Sequence, residues 1–153
     1  IEQLKKSGSL EGVGAIFVDV DKLKEINDVH GHLEGDFAIR TSVELIRAAL
    51  RKTDVIGRFG GDEFVVVFHD MDRVMMDKLI ERIERNFLEF NRCTKKAYCL
   101  ECSFGGDIFD PEKDTMDSFL QRVDQIMYSN KQQKKKGGGT AGDLPCEQSE
   151  WEP

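Results

Sequence analysis

Arg58-Phe59-Gly60-Gly61-Asp62-Glu63-Phe64 is the stretch on which the fold turns. It sets two glycines and two carboxylates between the apolar runs Val55-Ile56 and Phe64-Val65-Val66-Val67-Phe68. Short apolar runs on either side of a glycine turn predict a β-hairpin. Glycine there allows positive φ and leaves the backbone open to a ligand. Asp62 and Glu63 repel each other at such a tip, and one is driven toward protonation unless a cation sits beside them. A divalent metal is the simplest cation, because carboxylate oxygens are what Mg²⁺ prefers. A solvated acidic turn is the plain alternative.

A second acidic pair upstream tips the balance. Val13-Gly14-Ala15-Ile16-Phe17-Val18-Asp19-Val20 reads as a buried strand ending in acid. Asp19 and Asp21 are two apart, so both side chains face one way on a strand. An Asp-x-Asp strand end beside a hairpin carrying Asp62-Glu63 is a two-metal arrangement, and it suits phosphoryl or nucleotidyl transfer. A calcium loop is excluded. Its fifth position needs acid or Asn and its sixth Gly, and those positions hold Leu23 and Lys24.

The chain has 153 residues, enough for one domain with a real core. Its net charge of −7 argues against a general nucleic-acid binder. No apolar run reaches the roughly 18 residues of a membrane span, and no signal peptide is evident. The chain begins at Ile1 rather than Met, which implies a piece of a longer protein. Cys93, Cys99, Cys102 and Cys146 read as reduced thiols of a cytoplasmic protein, with Cys102 in the core.

In order, residues 1–12 read as a helix tail and loop. Asp21–Asp28 reads as a short helix broken at His30-Gly31-His32. A long helix follows Gly35, with Ile39, Val43, Ile46 and Leu50 at helical spacing. After the hairpin, Asp72 to about Asn91 is a second long helix, striped by Met76, Leu79, Ile80, Ile83, Phe87 and Phe90. Ala97–Phe109 is a strand region interrupted by Gly105-Gly106. A last helix runs from about Met116 to near Lys131, and 137–153 reads as a flexible tail. The expected fold is α+β, a mainly antiparallel sheet with helices on one face.

These residues resemble the GGDEF domains, the diguanylate cyclases. The hairpin matches that family's signature. Asp19-Val20-Asp21-Lys22-Leu23-Lys24-Glu25-Ile26-Asn27-Asp28, with Gly31-His32 and Gly35-Asp36, matches its other main motif in register. The resemblance covers roughly 13–135, and a catalytic domain over 13–136 is expected. It implies a palm-like nucleotidyl-cyclase architecture with a ferredoxin-like core. It also implies condensation of two GTP into cyclic di-GMP and pyrophosphate, across a transient homodimer.

The same resemblance assigns roles. Asp19, the Val20 carbonyl and Asp62 hold two Mg²⁺ (or Mn²⁺) ions. Asp62, or alternatively Glu63, helps deprotonate the attacking 3′-hydroxyl. Gly60 and Gly61 let the backbone approach the phosphates. Lys24 meets the triphosphate, and Asn27 with Asp36 reads guanine. Lys131 is kept, while Lys134 and Lys135 stand where the family has Gly and Arg; Lys135 is the expected phosphate contact. Arg51-x-x-Asp54, with Arg82, resembles the inhibitory site for product. Regulatory domains, and any membrane anchor of the parent protein, lie elsewhere in the longer chain. The rival readings are a non-catalytic module that binds GTP or cyclic di-GMP, and another palm-type nucleotidyl cyclase or polymerase.

Overall fold

The structure, a computed structural model, describes residues 11–137. Residues 1–10 of the expected leading segment and 138–153 of the expected tail lie outside that range. The described elements are β1 (Gly14–Val20), α1 (Leu23–His30), α2 (His32–Arg47), β2 (Val55–Arg58), β3 (Glu63–Phe68), α3 (Arg73–Cys93), β4 (Cys102–Ile108) and α4 (Met116–Gly137). This is the expected order. The four strands form one sheet in the order β2-β3-β1-β4, with every neighbouring pair antiparallel.

Alternation along the strands divides the side chains between two faces. Ile16, Val18 and Val20 of β1 join Phe64, Val66 and Phe68 of β3 in the larger core, with Ala38 and Ile46 of α2 and Met76, Leu79, Ile83 and Phe87 of α3. Fully burying one such aliphatic side chain stabilises by roughly 1.5–3 kcal/mol. Ala15 faces the other way, into a smaller cluster with Phe109 and with Phe119 and Val123 of α4. Helices therefore cover both faces, which corrects the one-faced reading. The odd positions of β1, Asp19 among them, look toward α4.

Several boundaries shift. Gly31, at φ 93°, is the sole residue between α1 and α2, so α2 starts at His32 rather than after Gly35. Asp72 caps α3, its carboxylate accepting from the Met75 amide at 2.8 Å. Gly105 and Gly106 do not interrupt β4; they lie inside it. A Cβ on Gly105 would stand 2.2 Å from the Met127 nitrogen, so glycine here lets α4 lie directly on the strand. α4 runs on to Gly137 instead of stopping near Lys131. Its side chains also cover outward carbonyls of β4: Asn130 Nδ2 donates to Phe104 O at 2.8 Å, and Lys134 Nζ to Cys102 O at 3.1 Å.

Cys102 is buried and Cys93 exposed, both as free thiols. Cys146 lies outside the described residues.

Candidate active site

The β1–β3 register sets Asp19 directly opposite Glu63. Like charges in that relation are unfavourable without a counter-charge. One residue on, the Val20 amide donates to the Asp62 carbonyl at 2.9 Å. The reciprocal bond from the Asp62 amide to the Val20 carbonyl is absent, so that carbonyl faces the base of the hairpin without this partner.

Asp19 is buried, at 6% exposure. Its Oδ2 accepts from Lys131 Nζ at 2.6 Å, while its Oδ1 is buried with no protein partner. Burial pushes its carboxyl above the usual range. The Lys131 hydrogen bond opposes that rise, and the Asp62 charge adds to it. Lys131 is itself held above its ordinary value: burial disfavours its charge, but the hydrogen bond and charge of Asp19 outweigh this.

Asp21 is differently placed. Its Oδ1 accepts from Ser103 Oγ at 2.8 Å and its Oδ2 from Lys134 Nζ at 2.8 Å. Its carboxylate is already matched inside the protein, so the acids open to an incoming cation reduce to Asp19, Asp62 and Glu63. Lys134, read from sequence only as a departure from the family pattern, is thus Asp21's counter-ion. The pairing spans 113 positions and left no local pattern to find.

Neither Gly60 nor Gly61 has a positive φ. A Cβ on Gly61 would meet nothing within 4 Å, and one on Gly60 only the Glu63 side chain, at 3.7 Å at the nearest. The sequence reading valued glycine here for positive φ; the turn makes no use of it, and packing does not demand glycine either. The open surface of both residues is what suits a ligand. Arg58, given no role by the sequence reading, braces the tip from below. Its guanidinium donates to Gly60 O at 3.0 Å and Gly61 O at 2.7 Å.

An open cavity of about 720 Å³ lies between the strand ends and α4, with Asp19, Glu63, Tyr128, Lys131 and Lys135 in its lining. Asp19 and Glu63 line it from the strand ends, and Asp124, Lys131 and Lys135 from α4. The remaining expected residues lie on other elements. Lys24 is exposed on α1. Asn27 packs its carboxamide against Gly35 so closely that a Cβ there would stand 1.7 Å from Oδ1. Asp36, next along, is exposed on α2. Asn27 and Asp36 are thus gathered at the α1–α2 elbow.

Arg51 and Asp54 close on each other. The Arg51 guanidinium reaches Asp54 Oδ1 at 2.9 Å and His69 O at 2.6 Å, and the Arg51 amide donates to Asp54 Oδ2 at 2.8 Å. The Asp54 side chain is only 1% exposed. Arg82 is exposed on α3.

No three His, Cys, Asp or Glu groups among the described residues form a ready cage for an ion. The orphaned Asp19 Oδ1, the Val20 carbonyl and the nearby Asp62 carboxylate are nonetheless all-oxygen donors at one strand end, a set that fits a hard divalent cation.

An antiparallel sheet backed by helices, with acids gathered at the end of its central strand beside a glycine hairpin, defines the nucleotidyl-cyclase class. The chain belongs to the family described as "Diguanylate cyclase, GGDEF domain", whose model matches residues 2–137. It is 38% identical over 135 residues to the probable diguanylate cyclase DgcJ of Escherichia coli, and 36% identical over 121 residues to the diguanylate cyclase DgcP. The matches cover 88% and 78% of this chain but only 26% and 36% of those proteins. Among solved structures, the GGDEF domain of PA1120 from Pseudomonas aeruginosa matches at TM-score 0.74 and 27% identity, covering 86% of this chain and 77% of that one. The active GGEEF domain of a Vibrio cholerae diguanylate cyclase matches at TM-score 0.75 and 23% identity, covering 86% and 83%. That second likeness is one of fold.

Proposed function

We propose that this domain condenses two GTP molecules into cyclic di-GMP, each subunit of a transient homodimer presenting one GTP to the other. The observation that carries the reading is Asp19. It is a buried carboxylate with one oxygen unpartnered, set opposite Glu63 at the edge of an open cavity that Lys131 and Lys135 also line.

Asp19, the Val20 carbonyl and Asp62 would hold divalent metal, Mg²⁺ or Mn²⁺, two ions per site. Bound there, the metal neutralises phosphate charge and acidifies the attacking hydroxyl. The protein's own groups do the rest. Asn27 and Asp36 bind the guanine edge; Asp36 accepts from N1–H and N2–H₂, donors that adenine lacks at those positions. The bare backbone at Gly60-Gly61 admits the phosphates. Lys24, Lys131 and Lys135 supply fixed positive charge around them. Asp62 or Glu63 takes the proton from the 3′-hydroxyl as its oxygen bonds to the α-phosphorus of the facing GTP. The bond to pyrophosphate breaks in the same displacement. Two such steps close the ring.

Lys131 contacts Asp19 now, and it would have to yield at least part of that carboxylate to an incoming cation. The pair favours one competing reading, a nucleotide-binding module without turnover. Incubation with GTP and Mg²⁺ at high protein concentration, with products identified by mass, separates the two. Cyclic di-GMP supports the cyclase. Tight GTP binding with no product from the full-length protein supports the module.

Arg51, Asp54 and Arg82 form the proposed inhibitory site for cyclic di-GMP. An Arg fork suits guanine O6/N7 or phosphate. Occupancy would require the Arg51–Asp54 pair to open.

A further inference from the structure

The α1–α2 elbow is clamped from a distant part of the chain. Glu34, one residue before Gly35, has both carboxylate oxygens engaged. Lys96 Nζ donates to Oε1 at 2.9 Å, and the Tyr98 hydroxyl to Oε2 at 2.6 Å. These donors stand 62 and 64 positions further on, in the connection from α3 to β4. That connection is itself pinned: Asn91 exchanges two 2.8 Å hydrogen bonds with the Leu100 backbone. Around the clamp, Lys96 lies 4.3 Å from the Phe37 ring centre, and the His30 and Tyr98 rings are 5.0 Å apart.

A lone acid in the first turn of a helix needs no explanation beyond the helix dipole. Two directed donors from another element go further, because they fix where the turn sits. That turn carries Gly35 and Asp36, and Asn27 lies against Gly35. We infer that Glu34 is a positioning residue for guanine recognition. Through Lys96 and Tyr98 it holds the start of α2 so that Asn27 and Asp36 meet the base together. This rests on the cyclase reading above, in which those two residues read guanine. The carboxyl of Glu34 is held below its usual range, first by the Lys96 hydrogen bond and then by that of Tyr98, in keeping with an ionised clamp at neutral pH.

The test compares wild type, Glu34→Gln and Tyr98→Phe. Calorimetry with Mg²⁺ and non-hydrolysable GTP and ATP analogues is run beside binding of inorganic tripolyphosphate, which has no base. Glu34→Gln should weaken the GTP analogue about tenfold, the scale of a disturbed hydrogen-bonding site, and Tyr98→Phe by a smaller factor. Tripolyphosphate affinity, ATP-analogue affinity and melting temperature should stay near wild type, and turnover should show a raised KM with kcat little changed. A GTP-analogue affinity unchanged in Glu34→Gln overturns the clamp. So does a parallel loss of tripolyphosphate binding or a large fall in melting temperature, either of which marks general damage. A wild-type protein that does not prefer GTP over ATP overturns base reading by Asn27 and Asp36, and the clamp's role falls with it. Wild-type preference that survives in Glu34→Gln overturns the clamp alone.

Discussion

Lys131 Nζ lies 2.6 Å from Asp19 Oδ2, joining residues 112 positions apart. The pair fixes the last turns of α4 over the end of β1 and lends a cation to a carboxylate that burial would otherwise push toward neutrality.

Asp19→Asn should separate stability from activity. The folded carboxyl titrates above its ordinary value, so its favourable contribution is complete below the unfolded value of 3.8 and is lost as pH rises through the folded value. The same change leaves Lys131 without the carboxylate that supports its charge, so at pH 7 in chelator the two effects oppose and the melting temperature should shift little. Product formation should fall by about a hundredfold or more, the scale for losing a group that stabilises transition-state charge. Melting curves and turnover read these outcomes. A large shift in either direction contradicts the balance between the burial cost of Asp19 and its pairing with Lys131.

Two glycine-to-alanine changes should behave oppositely. Gly105→Ala drives a Cβ into the backbone of Met127 and should cost about 3 kcal/mol or more through overpacking. Gly61→Ala meets only open space, so its melting temperature should hold while GTP affinity falls. Unchanged nucleotide binding in Gly61→Ala would remove the phosphate-approach role of the hairpin.

Asp114 should mark acid unfolding. Its carboxyl is held at about 2, chiefly by the Arg122 guanidinium and then by the Asp110 amide. A depressed value stabilises above the unfolded 3.8 and is lost as pH falls toward 2. Asp114→Asn should thus be less stable than wild type at pH 5 to 7, with the gap narrowing below pH 4. A constant gap down to pH 2 contradicts the assignment.

Arg51→Ala should weaken cyclic di-GMP binding at least tenfold, since a guanidinium fork on a guanine or phosphate is worth roughly one to three kcal/mol. It should also lower stability modestly, because the Asp54 side chain is buried and loses its partner. Calorimetry with cyclic di-GMP decides: an unchanged dissociation constant removes Arg51 from the proposed inhibitory site.

The element order and the hairpin were readable because both rest on local periodicity and turn chemistry. The larger core was readable for the same reason: Met76, Leu79, Ile83 and Phe87 repeat at helical spacing and all are buried. What escaped was set by distant contacts. Gly105 and Gly106 looked like a break, yet β4 passes through them because α4 needs room at Met127. Lys134 stood out only as a departure from the family pattern, but it binds Asp21 across the fold. The Glu34 clamp depends on Lys96 and Tyr98; the sequence put Tyr98 in a strand region from Ala97, yet β4 begins only at Cys102 and the residues before it turn to Glu34 instead. Arg58 stood beside the glycines in plain sight, but its grip on their carbonyls has no signature in the sequence.

Asn130 and Lys134 occupy the outward carbonyls of Phe104 and Cys102 along β4. A bare strand margin is a template on which neighbouring chains can add rung after rung. A copy of this domain that meets β4 edge-on therefore finds these two carbonyls already taken by Asn130 and Lys134.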